Sequence, residues 1–349
     1  MMREHVVRDT PERQAFYAKI DKENLTPLWT VMGALITPEP KSTCQPALWG
    51  FEAIKNHMLE AGALITAKEA ERRVLILENP GLRGQSKITT SLYAGVQLVM
   101  PGEVAPAHRH SQSALRFVLE GTGAHTAVDG ERTIMHPGDF VITPSRAWHD
   151  HGNQTDEPMF WLDGLDIPVV QFLDASFAEG MDEDEQPLAR PEGDSYARYG
   201  HNLLPVDLKR ATKASPVFNY PYAETREALE RMRGRNDWDP CHGLKLQYTN
   251  PIDGGYAMPT IGTFIQMLPK GFTTSRYRST DATVFVPIEG RGRSRVGETV
   301  LEWGAKDVFI VPSWHHVVHE ADEDAVLFSF SDRPIQEKLD LFREDRGNA

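Results

Sequence analysis

Pro101-Gly-Glu-Val-Ala-Pro-Ala-His108-Arg-His110 is followed, past Arg116 and Gly121-Thr-Gly123, by Gly138-Asp-Phe-Val-Ile-Thr-Pro144-Ser-Arg-Ala-Trp-His149-Asp-His151-Gly-Asn153. Side chains in a strand alternate faces, so His108 and His110 point the same way. The apolar run Phe140-Val-Ile ends at Pro144, and His149 beyond it can arrive from a neighbouring strand. Three imidazoles converging from two strands make a facial metal site with open positions. An isolated His-x-His is more often a hydrogen-bonded pair, and thirteen histidines in 349 residues is an ordinary load. The residues around the pair therefore have to carry the reading.

Counting by twos from His108 gives His110, Gln112, Ala114, Arg116 and Val118 on one face. Arg116 then points into the cavity of the imidazoles. A guanidinium there needs an anion, because an unpaired buried charge is very costly. A permanent Asp or Glu partner and a substrate carboxylate are equal readings. By the same count His151 accompanies His149, although a capped loop histidine is an equal alternative, and Asp163 lies in the run Phe160-Trp-Leu-Asp163-Gly. His125 and His136 read as exposed flanks of β-turns.

Three neutral imidazoles leave a divalent ion its full charge, unlike a site with a carboxylate ligand. Such an ion suits a bidentate anion with one position left for dioxygen. An ortho-hydroxybenzoate offers its carboxylate and neighbouring phenolate, and Arg116 can also grip the carboxylate as a fork. Gly95, inward beside Gln97, is expected to make room for a flat ring.

The rest of the chain is long enough for two domains. With 40% hydrophobic and 25% charged residues, it has the composition of a soluble globular protein. A net charge of −13 argues against nucleic acid or an anionic membrane as partner. Cys44 and Cys241 form no Cys-x-x-Cys pair, which suits a reducing cytoplasm. No stretch approaches the roughly 18 apolar residues of a membrane span.

Thr10-Pro11-Glu12 predicts a helix start, and helical patterns recur around 50–61 and 67–73. Short β-type runs broken by Gly, Pro and Asp fill 74–167. Residues 176–216 turn acidic and Pro/Gly-bearing, as in a solvated connector. The pattern of 100–123 then returns near 268–292, and that of 139–146 near 307–314, displaced by about 168 residues. Duplicated barrels are implied. In the second copy Tyr277, Ser279 and Val317 stand where the first has His108, His110 and His149, so the metal chemistry is assigned to the first.

The quoted motifs resemble the cupin family. Gly102, His108, His110 and Gly121 fall on its first motif, and Gly138, Pro144, His149 and Asn153 on its second. Ala114 departs from the usual glutamate ligand and Arg146 from a glycine. Ala105-Pro-Ala-His-Arg-His-Ser-Gln-Ser-Ala-Leu-Arg116-Phe and Trp161-Leu-Asp-Gly-Leu-Asp-Ile-Pro168 are similar to the gentisate 1,2-dioxygenases, a group that includes salicylate and 1-hydroxy-2-naphthoate dioxygenases. The resemblance implies an all-β bicupin: two double-stranded β-helix (jelly-roll) barrels with an N-terminal helical arm. The expected divisions are 1–73 for the arm, 74–175 for the metal-bearing barrel and 176–245 for the acidic linker and helix. A metal-free barrel at 246–332 and a tail at 333–349 complete the chain.

The resemblance also implies Fe(II) on His108, His110 and His149, with His151, Asp163 and Arg116 catalytic. Arg72, Gln97, Arg116, Gly95 and Trp148 are expected around the substrate, and Lys68 stands where some members carry a second clamping arginine. His151 is expected to be oriented by Asp163. The implied activity is ring cleavage of gentisate with O2 to maleylpyruvate in aromatic catabolism, by a cytoplasmic homotetramer. Salicylate or hydroxynaphthoate cleavage is the alternative within the group. A non-redox Zn/Mn isomerase or sugar-binding cupin is the alternative outside it, disfavoured by Ala114.

Overall fold

The computed structural model describes residues 9–347 apart from 211 and 236. Its contacts divide into two units, one ending at Lys41 and one beginning at Ser42. The first holds helices Pro11–Asp21 and Leu28–Leu35. Thr10 caps the former as its sequence predicts: Oγ1 accepts from the Arg13 backbone N–H at 3.3 Å. Trp29 Nε1 donates to Tyr17 Oη at 3.0 Å. Phe16, Leu28, Trp29 and Leu35 are all exposed.

The helical stretch expected over 1–73 is thus divided. Helix Phe51–Leu64 belongs to the main body, burying Phe51, Ile54 and Met58. Phe51 meets Phe160 edge-on at 6.0 Å, and its backbone N–H donates to Asp307 Oδ1 at 2.9 Å. Just before it, strand Ala47–Trp49 pairs with Val308–Val311 of the second repeat. One segment therefore straps both repeats.

The first repeat forms eight strands: β1 Tyr93–Val99, β2 Val104–His110, β3 Ala114–Glu120, β4 His125–Val128, β5 Glu131–Ile134, β6 Phe140–Thr143, β7 His149–Gly152 and β8 Met159–Leu165. One sheet runs β6-β3-β8-β1, extended by Asn219–Tyr220 and Val74–Ile76 at its edges. The facing sheet runs β2-β7-β4-β5, with Ala178–Gly180 beside β2. Apart from the β4–β5 hairpin, consecutive strands go to opposite sheets, which is the jelly-roll crossover. The second repeat builds the same way, with Gly262–Leu268, Ala325–Ser331, Thr283–Glu289 and Val308–Val311 in one sheet.

Alternation alone predicts one wet face for the large sheets, but β1, β3 and β8 are buried on both. The reason is that the two large sheets pack on each other. Leu115, Phe117 and Leu162 share a core with Val284, Val286 and Phe328, and the Phe117 and Phe328 rings stack at 4.1 Å. Gly164 permits this approach: a Cβ there would lie 2.8 Å from Phe330 Cε2. Arg146, at the usual cupin glycine, has φ +69, and Trp314 in the second repeat has φ +61. That left-handed geometry explains why glycine is favoured at this turn. Phe328→Ala is expected to lower stability by about 3–5 kcal/mol through the cavity it opens between barrels. An unchanged urea midpoint would show that the barrels do not depend on each other.

Candidate active site

Strands β2 and β7 lie side by side, with His108 directly opposite His149. Ring centroids are 4.3 Å apart for His108 and His149, 4.9 Å for His110 and His149, and 5.2 Å for His108 and His110. One nitrogen from each ring falls within 4.8 Å of the others. His110 Nδ1 lies 3.0 Å from Gln112 O, and His149 Nδ1 3.0 Å from Ala147 O. A carbonyl only accepts, so each Nδ1 carries the proton and each Nε2 keeps its lone pair for a metal.

Burial, then the neighbouring Arg72, lowers His108 to about 3; burial lowers His110 to about 4 and holds His149 well below the usual range. No proton has to leave these rings for a cation to bind at neutral pH. Position 114, where a carboxylate ligand would come, holds Ala114 opposite Thr143. The donor set is three neutral nitrogens and fits a divalent first-row metal.

Arg116 is 3% exposed and lies over this face. Its Nη1 donates to Thr143 Oγ1 at 2.6 Å, its Nη2 to His151 Nε2 at 2.9 Å, and its Nε lies 3.6 Å from Asp163 Oδ1. Asp163 is near, but Arg116 Nε makes no hydrogen bond. Since a guanidinium can only donate, His151 Nε2 accepts and its Nδ1–H donates to Thr126 Oγ1 at 2.8 Å.

His151 is thus oriented by Arg116 and Thr126, and not by Asp163 as expected. The Asp163 carboxylate instead accepts from Trp161 Nε1 at 3.1 Å. Burial raises Asp163 to about 6 against the pull of Arg116. Gln97 is buried beside it with Nε2 unpartnered.

Arg72 reaches the same place: Nη2 lies 2.9 Å from Pro106 O and 2.6 Å from His108 Nδ1. Burial, then the like charge of Arg116, lowers it to about 9. This contact requires His108 Nδ1 to accept, whereas metal binding through Nε2 requires it to carry the proton. The two exclude each other, so Arg72 must move off His108 when a cation is held there. With two guanidiniums and one carboxylate, the cavity is electropositive.

Two expected substrate neighbours, Trp148 and Gly95, are placed differently, and Lys68 does not act as a clamp. Trp148 alternates with His149 and so faces away from the triad; Arg109 stacks on its ring at 4.8 Å. The space beside Gly95 is taken by the protein, since a Cβ there would lie 2.5 Å from Val74 Cγ1 and 3.1 Å from Tyr93 Oη. The missing side chain leaves room that the neighbouring strand and Tyr93 already use. Lys68 is exposed and pairs with Asp184 at 2.8 Å. Sequence reading missed Thr126 and Thr143. Counting by twos through β6 does put Thr143 on the Val141 side, opposite β3.

In the second barrel Tyr277 donates to Glu344 Oε2 at 3.0 Å and Val317 joins the apolar core. His319, the counterpart of His151, is buried against Ser294 Oγ at 2.7 Å.

Residues 95–165 match the cupin domain. The chain is 64% identical over 337 residues to gentisate 1,2 dioxygenase 1 of Aquipseudomonas alcaligenes, covering 97% of each protein. It is 36% identical to a gentisate 1,2-dioxygenase of Ralstonia sp, covering 96% of this chain and 94% of that one. Salicylate 1,2-dioxygenase from Pseudoaminobacter salicylatoxidans, crystallised as an adduct with gentisate, superposes with a TM-score of 0.93 at 34% identity, over 100% of this chain and 98% of that one.

Thr126→Val removes the acceptor of the buried His151 proton. The expected result is a loss of about 1–3 kcal/mol, read as a lower melting temperature with metal content unchanged. Wild-type melting would mean that His151 finds another partner.

Proposed function

The chain belongs to the gentisate 1,2-dioxygenase family of ring-cleaving bicupins, and from that premise we propose that it converts gentisate and O2 to maleylpyruvate in aromatic catabolism. The observation that carries the choice of substrate is the 64% identity, end to end, with a gentisate enzyme. Fe(II) is the proposed metal, held by His108, His110 and His149 of the first barrel, with the second barrel metal-free. When bound there, Fe(II) supplies open positions at which an aromatic hydroxy acid and dioxygen can meet.

The protein's own groups then divide the work. Arg116 holds the substrate carboxylate in a fork, its charge balanced by Asp163 when the cavity is otherwise unfilled. Arg72 adds a second positive charge for a doubly ionised acid and, once off His108, closes over the substrate. Gln97 offers its unpartnered Nε2 to a substrate oxygen. His151 Nε2 is the atom that takes the ring hydroxyl proton, once Arg116 Nη2, which occupies its one lone pair here, has turned to the substrate carboxylate. Thr126 keeps the lone pair aimed while that happens.

Oxygen uptake on gentisate, after anaerobic loading with Fe(II), tests the reading. His108→Ala is expected to lose both bound iron and turnover; retained iron would remove His108 from the ligand set. Arg116→Ala is expected to keep the metal and lose at least about a hundredfold in kcat/KM, the scale of a charge-assisted contact that counts fully in a water-poor site. Salicylate is the second reading, supported by the whole-chain superposition on a salicylate 1,2-dioxygenase. A panel of gentisate, salicylate and 1-hydroxy-2-naphthoate scored by ring-fission absorbance separates them, with gentisate expected to be the best.

A cytoplasmic homotetramer is proposed for the assembly. Free, buried Cys44 and Cys241 favour the reducing compartment. The exposed apolar side chains of residues 9–41 favour a subunit contact. Among the described residues no helix is long and apolar enough to cross a membrane.

A further inference from the structure

His125 was expected at an exposed turn. Instead it starts β4 and is 2% exposed. Its ring packs against Gly152, where any Cβ would collide with it. Asp150, on β7 between His149 and His151, turns to the opposite side of the strand from them and is 1% exposed. Glu185 of the acidic connector, partly open to solvent, completes the group.

His125 Nε2 lies 3.6 Å from Glu185 Oε1 and 3.9 Å from Asp150 Oδ1, and the three donor atoms fall within 4.8 Å of one another. Those separations are too long for hydrogen bonds. Both His125 Nε2 and Asp150 Oδ1 are buried without a hydrogen-bond partner. Asp150 is held in that pose from behind, because the Gln186 backbone N–H and its Nε2 each donate to Oδ2 at 3.0 Å. Burial, then Arg132, lowers His125 to about 4, so the ring is neutral at pH 7 and no ion pair accounts for the cluster. Arg132 Nη2 does donate to Glu185 Oε1 at 3.0 Å, leaving Oε2 of that carboxylate as a further donor.

Buried polar atoms left unpaired, converging on one point, are an anomaly that an occupant would remove. We propose that His125, Asp150 and Glu185 form a second divalent-cation site, suited to Zn(II), that fastens the acidic connector to the back of the strand bearing His149. One imidazole and two carboxylates are zinc's ordinary ligands, and tetrahedral bonds of about 2.0–2.2 Å put donors about 3.3–3.6 Å apart. The two separations measured from His125 already lie within a few tenths of an ångström of that range. The nitrogen ligand argues against Ca(II) and Mg(II), which prefer all-oxygen sites. The two carboxylates neutralise the ion, so Arg132 can remain on Glu185. Nothing in this site touches the triad's nitrogens, so it stands independently of the ring-cleavage reading.

The test uses the full chain, loaded with Fe(II) under anaerobic conditions, then dialysed against Zn(II) and analysed for both metals. Wild type is expected to keep its iron and hold one zinc per chain, and zinc is expected to raise its melting temperature. Glu185→Gln, a change at a partly exposed position, is expected to bind zinc at least tenfold more weakly, to retain its iron and to lose the zinc-dependent rise. His125→Gln is expected to behave alike, with iron retention reporting that it has folded. Zinc that merely replaces iron one for one would overturn the proposal. So would zinc binding in which both variants match wild type, since that is adventitious surface binding only.

Discussion

A guanidinium buried at the floor of the first barrel is the constraint to which the other polar groups answer. Arg116 cannot shed its proton, so each of its donors must meet an acceptor or remain costly. Thr143 and His151 supply two, and Asp163 balances the charge at a distance. His151 must then present a lone pair at Nε2, which places its proton on Nδ1 and calls for Thr126. One charge thus sets the tautomer of a histidine on another strand. The same charge helps keep His149 unprotonated and ready to bind a metal.

The rigidity that such a site needs comes from outside the barrel that contains it. The sheet bearing Arg116 is backed by the second barrel through the stacked Phe117 and Phe328, and close packing at Gly164 leaves no slack. Duplication therefore left two copies with different tasks. The first kept its imidazoles. The second has Tyr277, Ser279 and Val317 at those positions and contributes the apolar wall against which the first is held.

Much of the site was legible in local spacing, because strand geometry has a period of two. His108 and His110 had to share a face; Arg116 reaches the same cavity from the facing sheet, because the chain crosses between sheets at 111–113 and the count by twos does not carry across that break. Alternation from His149 also puts Trp148 on the far side, although it was expected to shape the substrate pocket, and the alternation is what the structure follows. Gly95 illustrates a different limit of local spacing. A missing side chain opens space in either direction, and only the position of Val74 on the neighbouring strand tells which group fills it.

By itself the sequence determined the duplicated all-β architecture, the three imidazoles without a carboxylate, and the family. The architecture and the imidazoles rest on strand alternation and a repeat, and the family on the resemblance of the motifs. Only the tertiary structure decided which groups meet across long separations: Arg72 on His108, Thr126 on His151, and Glu185 beside His125 and Asp150. A buried polar group takes its partner from whichever strand or connector the fold lays over it, and no periodicity in the sequence records that choice.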